Sequence, residues 1–180
     1  MKRLATPPVS ASFARMRALH IAVAAPFLLA ASAPSPVERR LDPLLFFVGR
    51  TETVGTVKVI FKKPYRSRCL GQGRIEPDGS LTLVQRVEDE GQPPHERRWR
   101  VRELGPGRYI GTMSEASGPL EIRQVGDRFR FRFAMKGSLS VEQWLIPMPG
   151  ATSARSISRV RKFGMTVATS EGTVRKLAGG

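Results

Sequence analysis

Cysteine is almost missing from this chain: Cys69 stands alone among 180 residues. With no second thiol, no intramolecular disulfide can form even in an oxidising compartment, and a domain of this size folds without one. Histidine is nearly as scarce. One of the two, His20, falls in the N-terminal apolar segment, which leaves His95 for the rest of the chain. That count excludes a zinc site of the usual His/Cys kind. A Ser-His-Asp triad would need His95, but Glu90-Gly91-Gln92-Pro93-Pro94-His95 reads as a turn with a solvated histidine. Nucleophile elbows, Gly-rich phosphate loops and metal-ligand clusters are also missing. The sequence therefore predicts no catalytic residue, no cofactor and no metal.

Acidic side chains are short as well. Fifteen Asp and Glu face thirty Lys and Arg, for a net charge of +15. Residues 1–33 hold no acid and four cations, Lys2, Arg3, Arg15 and Arg17; setting those four aside leaves +11 on the remaining 147 residues. Such an excess draws a protein to anionic surfaces and weakens with salt. Apolar residues at 41% and charged residues at 25% are ordinary globular values, so the charge does not signal disorder.

Long apolar runs are limited to one place. Arg15-Met16-Arg17 precedes Ala18–Ala30, and Ala31-Ser32-Ala33 follows with small residues in the pattern a signal peptidase accepts. The run is shorter than the roughly 20 residues that cross a bilayer comfortably, and Ile21–Ala31 lacks the polar face of an amphipathic helix. Residues 1–33 are expected to be a signal peptide, with Met16 an alternative start. No cysteine near the cleavage point offers a lipid anchor, so the expected address is the periplasm or the medium. A linker (34–40), one domain (41–177) and a short tail (178–180) would follow.

Within that domain, Leu41–Phe47 is apolar, with Asp42 placed to cap and Pro43 to start a short helix that ends before Gly49. Such a helix suits the end of a barrel. From Val54 onward the apolar period becomes two. Val57, Val59 and Phe61 alternate with Lys58, Ile60 and Lys62. Turn residues follow at Glu76–Ser80, Gly91–Pro94, Gly105–Gly107 and Gly126-Asp127. In Arg128–Phe133, three phenylalanines (129, 131, 133) must face one way and three arginines (128, 130, 132) the other. No crossover helix intervenes. The pattern predicts an all-β antiparallel meander of eight or nine strands that closes into a lipocalin-like barrel or half-barrel, with a flat sandwich as the alternative.

Parity then selects candidate residues. Arg97 and Trp99 share a face with Val101, while Arg98, Arg100 and Arg102 face outward. Tyr109 and Glu115 fall with Gly111 and Met113. Glu142 and Trp144 fall with Ser140 and Ile146 and are placed inside on the same grounds. A buried Arg97 needs a carboxylate, and Glu115 or Glu142 is the natural partner. Two readings stay open: a polar-studded core at one barrel end, or a cavity with a few convergent polar groups that takes a small apolar or amphipathic ligand. The bulk of the phenylalanines and tryptophans argues against a large void. Outside, Arg128, Arg130 and Arg132 are expected near Arg98, Arg100 and Arg102, where clustered like charges would call for an anion. Nucleic acid is disfavoured, since no recognition motif accompanies the charge.

Several short pieces, in order, resemble the bacterial domain of unknown function 3833 family. They are Phe46-Phe47-Val48-Gly49, Gly79–Leu83, Arg97-Arg98-Trp99, Tyr109-Ile110-Gly111, Glu115–Gly118, Gln143-Trp144 and Lys162-Phe163-Gly164, spread over roughly residues 42–176. The resemblance implies an exported or lipid-anchored lipocalin-type sheet and no assigned reaction. The family's Asp-Glu pair after Leu-Thr-Leu is here Val84-Gln85, and its Asp-Asp-Trp is Glu142-Gln143-Trp144.

Three functions follow as expectations. The first is an exported lipocalin-like binder of a small lipid-like molecule. The second is an envelope-associated protein that meets anionic surfaces through its arginine-rich exterior. The third, least favoured, is a hydrolase with Glu115 and Glu142 as paired carboxylates. Nothing in the sequence speaks to oligomeric state.

Overall fold

The computed structural model describes residues 41–178, so the expected leader and linker lie outside the described residues. A four-residue helix, α1 (Pro43–Phe46), comes first. Asp42 caps it by accepting from the Leu44 amide at 2.7 Å and the Leu45 amide at 3.3 Å, and Pro43 occupies the position where a missing amide costs nothing.

Ten antiparallel strands follow: β1 (Gly49–Val59), β2 (Tyr65–Ile75), β3 (Leu81–Asp89), β4 (His95–Gly105), β5 (Arg108–Met113), β6 (Leu120–Val125), β7 (Arg128–Met135), β8 (Leu139–Pro147), β9 (Ser153–Lys162) and β10 (Met165–Lys176). Each pairs with the next, and β10 pairs back onto β1 to close the barrel. Ten strands stand where alternation predicts eight or nine. The first strand starts at Gly49 rather than Val54, and the last runs to Lys176, well past Ala168. The added stretches turn Thr51, Thr53, Ser170 and Gly172 inward and only Val174 among apolar side chains, too few to show as an apolar alternation.

Phenylalanines 129 and 131 are buried and Phe133 half-buried, all inward, with the arginines between them outward. Arginines on the outer faces of the strands, where a membrane-spanning barrel needs an apolar band, set this barrel apart from that class. Among the described residues no helix is long and apolar enough to cross a membrane.

The core is densest at the α1 end. Leu44 and Phe46 of α1 pack with Leu81, Val101, Tyr109, Leu120, Ile122, Phe129, Leu145 and Val174. α1 therefore plugs one end. The Lys176 ammonium also donates to the Leu45 carbonyl at 3.0 Å, pinning the plug to the last strand. At the other end, Phe61 departs from the expected inward set. It sits at the tip of the β1–β2 turn with φ +60° and is fully exposed.

A clamp spans the closing seam. Glu52 of β1, buried, accepts from Arg68 Nε of β2 at 2.9 Å and from Arg175 Nε of β10 at 2.9 Å. The Arg175 bond first, then the Arg68 bond, holds the Glu52 carboxyl below its ordinary value of 4.5. A carboxyl whose pKa is lower folded than unfolded stabilises fully above the unfolded value, and that contribution is lost as pH falls through the folded one. Chemical unfolding of the wild type is accordingly expected to show stability dropping below about pH 4.5. A Glu52→Gln variant should be weaker at neutral pH and should lose less of its stability on acidification; parallel pH profiles would show that the clamp does not stabilise the barrel.

Candidate functional site

The barrel encloses a cavity of about 520 Å³ that runs from Pro43, Leu44 and Phe47 at the plug to Tyr65, Asp89, Glu115, Met135 and Leu139 at the opposite rim, where it opens. Its existence follows from which side chains point inward. Six consecutive strands contribute bulk, including Leu83, Trp99, Met113, Ile122, Phe131 and Leu145. The other four set smaller residues beside valines such as Val57, Val160 and Val174. β9 turns in Ser156 and Ser158, β10 turns in Ser170 and Gly172, β1 turns in Thr53 and Gly55, and β2 turns in Ser67 and Cys69. Gly55 and Gly172 face each other across β1 and β10, and a Cβ on either would come within 2.5 Å of a backbone oxygen on the neighbouring strand. The two backbones approach too closely for any side chain there. The aromatic bulk expected to fill the interior is real, but apart from Tyr65 at the rim the strands place it on one side.

Besides these hydroxyls, larger polar groups interrupt the wall at a few points. Trp99 Nε1 donates to Gln85 Oε1 at 2.6 Å, and its ring meets Phe133 edge-on at 6.1 Å. Gln143 donates to Ser156 Oγ at 2.9 Å. Toward the mouth, Arg97 pairs with Glu115 at 2.8 Å, and the same carboxylate lies 3.0 Å from His95 Nε2. The Arg97 Nε is buried without a hydrogen-bond partner among the described residues. An unpaired buried donor is costly unless something accepts from it. Cys69 also lines the wall, where burial pushes its thiol up to about 11, so it is protonated at neutral pH and a poor nucleophile.

The expected site residues divide accordingly. Arg97, Trp99 and Glu115 meet at the cavity, and the carboxylate partner of Arg97 is Glu115. His95 begins β4 at the mouth rather than sitting within the turn. Tyr109 is inward but lies in the plugged end against Phe129, ring centroids 6.4 Å apart, and does not line the cavity. Burial, ahead of Asp42 and Glu103, raises its phenol to about 12.

Glu142 and Trp144 require a correction: both face outward. The inward residues of β8 are Val141, Gln143 and Leu145, which stand opposite Phe133, Phe131 and Phe129. Partners directly across antiparallel strands share a face, so the phenylalanine strand dictates the parity of its neighbour. Glu142 instead accepts from Arg132 at 2.9 Å, which holds its carboxyl below the ordinary range, and Trp144 lies under the Arg130 guanidinium at 5.7 Å. With Glu115 inside the wall and Glu142 outside it, the two carboxylates do not form a hydrolytic pair.

The two arginine ladders are also farther apart than expected. β5 and β6 separate β4 from β7, a gap of roughly 14 Å at the usual strand spacing. Most members have their own acid: Arg98 with Glu96 at 2.7 Å, Arg100 with Asp78 at 2.7 Å, Arg128 with Asp127 at 3.6 Å and Arg132 with Glu142. Arg102 and Arg130 have none among the described residues. Register creates a different cluster that linear spacing hides. Arg108, Arg123 and Arg130 stand directly opposite one another across β5, β6 and β7.

Gln85, Gln143, Ser156 and Cys69 were not among the expected site residues. The signal for Gln85 was its place in the inward series Leu81, Leu83, Val87; for the small residues it was their recurrence at every second position.

No protein-family model matches the chain, and no curated protein does. The likeness found is to solved structures and is one of fold. The S-type phycobiliprotein lyase CPES from Guillardia theta superposes with a TM-score of 0.60 at 10% identity, over 77% of this chain and 92% of that one. A protein of unknown function from the DUF3598 family of Nostoc punctiforme gives a TM-score of 0.58 at 11% identity, over 81% of this chain and 53% of that one.

Proposed function

We propose that this β-barrel works at anionic surfaces of the cell envelope, held there by its basic exterior. The supporting observation is incomplete neutralisation. Of 24 lysines and arginines in residues 41–178, 13 have no carboxylate partner among the described residues. Exposed pairs contribute little to stability, so the surplus is available for outside charge. The signal peptide expected over residues 1–33 supports the same address, and the ordered resemblance to the domain of unknown function 3833 family belongs to the same proposal. Binding to vesicles of equal phosphatidylglycerol and phosphatidylcholine is expected to exceed binding to phosphatidylcholine alone. It should fall steeply as salt shortens the Debye length to about 8 Å at physiological strength. Equal binding to both vesicles, or binding indifferent to salt, overturns this reading.

The cavity favours a second reading, compatible with the first. Its walls are mostly apolar, and the unpartnered Arg97 Nε lies near the mouth. That combination suits an amphipathic molecule with an acidic or other acceptor head at Arg97 and an apolar body against Leu83, Phe131 and Leu145, in the space the small residues leave.

A further inference from the structure

Two phenylalanines on the rim are unlike the rest of the apolar residues. Phe61 tips the β1–β2 turn and Phe163 tips the β9–β10 turn; they are 102% and 78% exposed. Both hold a left-handed backbone, φ +60° and +49°, a conformation that a bulky residue seldom adopts and that glycine or asparagine fills more easily. Neither ring packs on the core. The two turns are neighbours, because β10 lies between β1 and β9, and the Ile60 amide bonds the Val167 carbonyl at 3.0 Å. Ile60 and Met165, 49% and 68% exposed, widen the apolar tip of each turn.

The charge around them has one sign. Lys62 and Lys63 follow Phe61, and Arg161 and Lys162 precede Phe163, with the Lys162 ammonium 5.7 Å from the Phe163 ring centre. Lys136 stands on the next turn along the rim, β7–β8, since Leu139 is opposite Lys162. Residues 59–64, 134–141 and 160–170 contain no Asp or Glu. The acids of the rim, Asp89, Glu90 and Glu115, lie on or beside the β3–β4 and β5–β6 turns, so the mouth has a basic, aromatic sector and an acidic one.

We infer that the β1–β2 and β9–β10 turns form a membrane-docking lip: Phe61 and Phe163 enter the interface of an anionic lipid bilayer while the adjoining lysines meet its phosphates. The inference rests on the anionic-surface reading and names its surface and its place on the molecule. Amphipathic surfaces that pair aromatic tips with a basic flank bind such interfaces through both terms at once. A soluble polyanion offers charge but no apolar phase for two separate rings. Docking by this sector would set the open mouth of the cavity against the lipid, with the plug directed away.

The test uses the full chain and vesicles of equal phosphatidylglycerol and phosphatidylcholine. Hydrogen exchange is expected to slow on vesicle binding at residues 59–64 and 161–166, and to stay unchanged at the far-end turns 76–79 and 105–107. The double variant Phe61→Asn with Phe163→Asn suits the left-handed backbone and removes no core contact, so its unfolding midpoint should match wild type. Its vesicle partition should fall at least roughly tenfold, while its retention on dextran sulfate stays the same. Unchanged partition, or protection centred on Arg108, Arg123 and Arg130 instead, overturns the lip and leaves the anionic-surface reading standing. Binding to dextran sulfate without vesicle binding overturns the lip as well. Failure of the wild type to bind any of these surfaces removes both.

Discussion

Replacing Ser158 with phenylalanine is expected to abolish uptake of an amphipathic probe without unfolding the protein. Ser158 points into the cavity from β9 between Gln143 of β8 and Ser170 of β10, in the part of the wall that carries little bulk. A ring there occupies space that is otherwise empty, so the usual cost of overpacking, about 1–3 kcal/mol, should be offset by the apolar area buried. Anilinonaphthalene sulfonate, which pairs an aromatic body with an anionic head, is the probe. Its affinity should drop by at least about a hundredfold, or roughly 2.7 kcal/mol. Native mass spectrometry of wild-type protein gently extracted from its native host should show a retained small molecule that the variant lacks. Ile157→Phe, one residue away on the outer face, should change neither measurement. Wild-type affinity in Ser158→Phe would mean that the interior is not where the probe resides.

The second large effect is expected from Gly73→Ala. The backbone of β2 at Gly73 runs so close under α1 that an added Cβ would collide with the Phe47 carbonyl oxygen. Backbone atoms cannot rotate away as a side chain can. Either the plug lifts or β2 bends, and both disturb the tightest part of the core. A loss of about 3 kcal/mol in urea unfolding is expected, a large share of the total for a domain of this size. Faster hydrogen exchange at residues 43–47 would show that the plug is what yields. An unaltered midpoint would show that α1 is held less firmly than its buried Leu44 and Phe46 indicate.

A strand's orientation is legible in sequence where its pattern carries its own reference. In Arg128–Phe133 the alternation of ring and guanidinium leaves one possible orientation, and the buried Phe129 and Phe131 match it. The Asp42-Pro43 cap is equally local. β8 has no such internal reference. Trp144 looks like the core residue of its strand, yet Val141 and Leu145, at 7% and 1% exposure, are the ones inside. Orientation there is set by pairing with β7, which is a property of the register and not of the segment. That Arg97 needs a carboxylate was legible, because an inward guanidinium cannot go unpaired; the choice of Glu115 over Glu142 was not, since it depends on the parity of β8. The cavity was not legible in the same way. Apolar periodicity detects large inward residues, whereas a void is made by small ones, and Ser156, Ser158, Ser170 and Gly172 resemble an ordinary polar strand. Arg108, Arg123 and Arg130 are fifteen and seven positions apart in the chain; only the sheet brings them level.

A tube stoppered at one end behaves as a cup. α1, anchored to β10 through Lys176, leaves any occupant of the interior a single doorway, so arrival and departure must use the same route. Such a vessel cannot serve as a conduit between two compartments. The proposed cargo would enter and leave past Arg97 and Glu115.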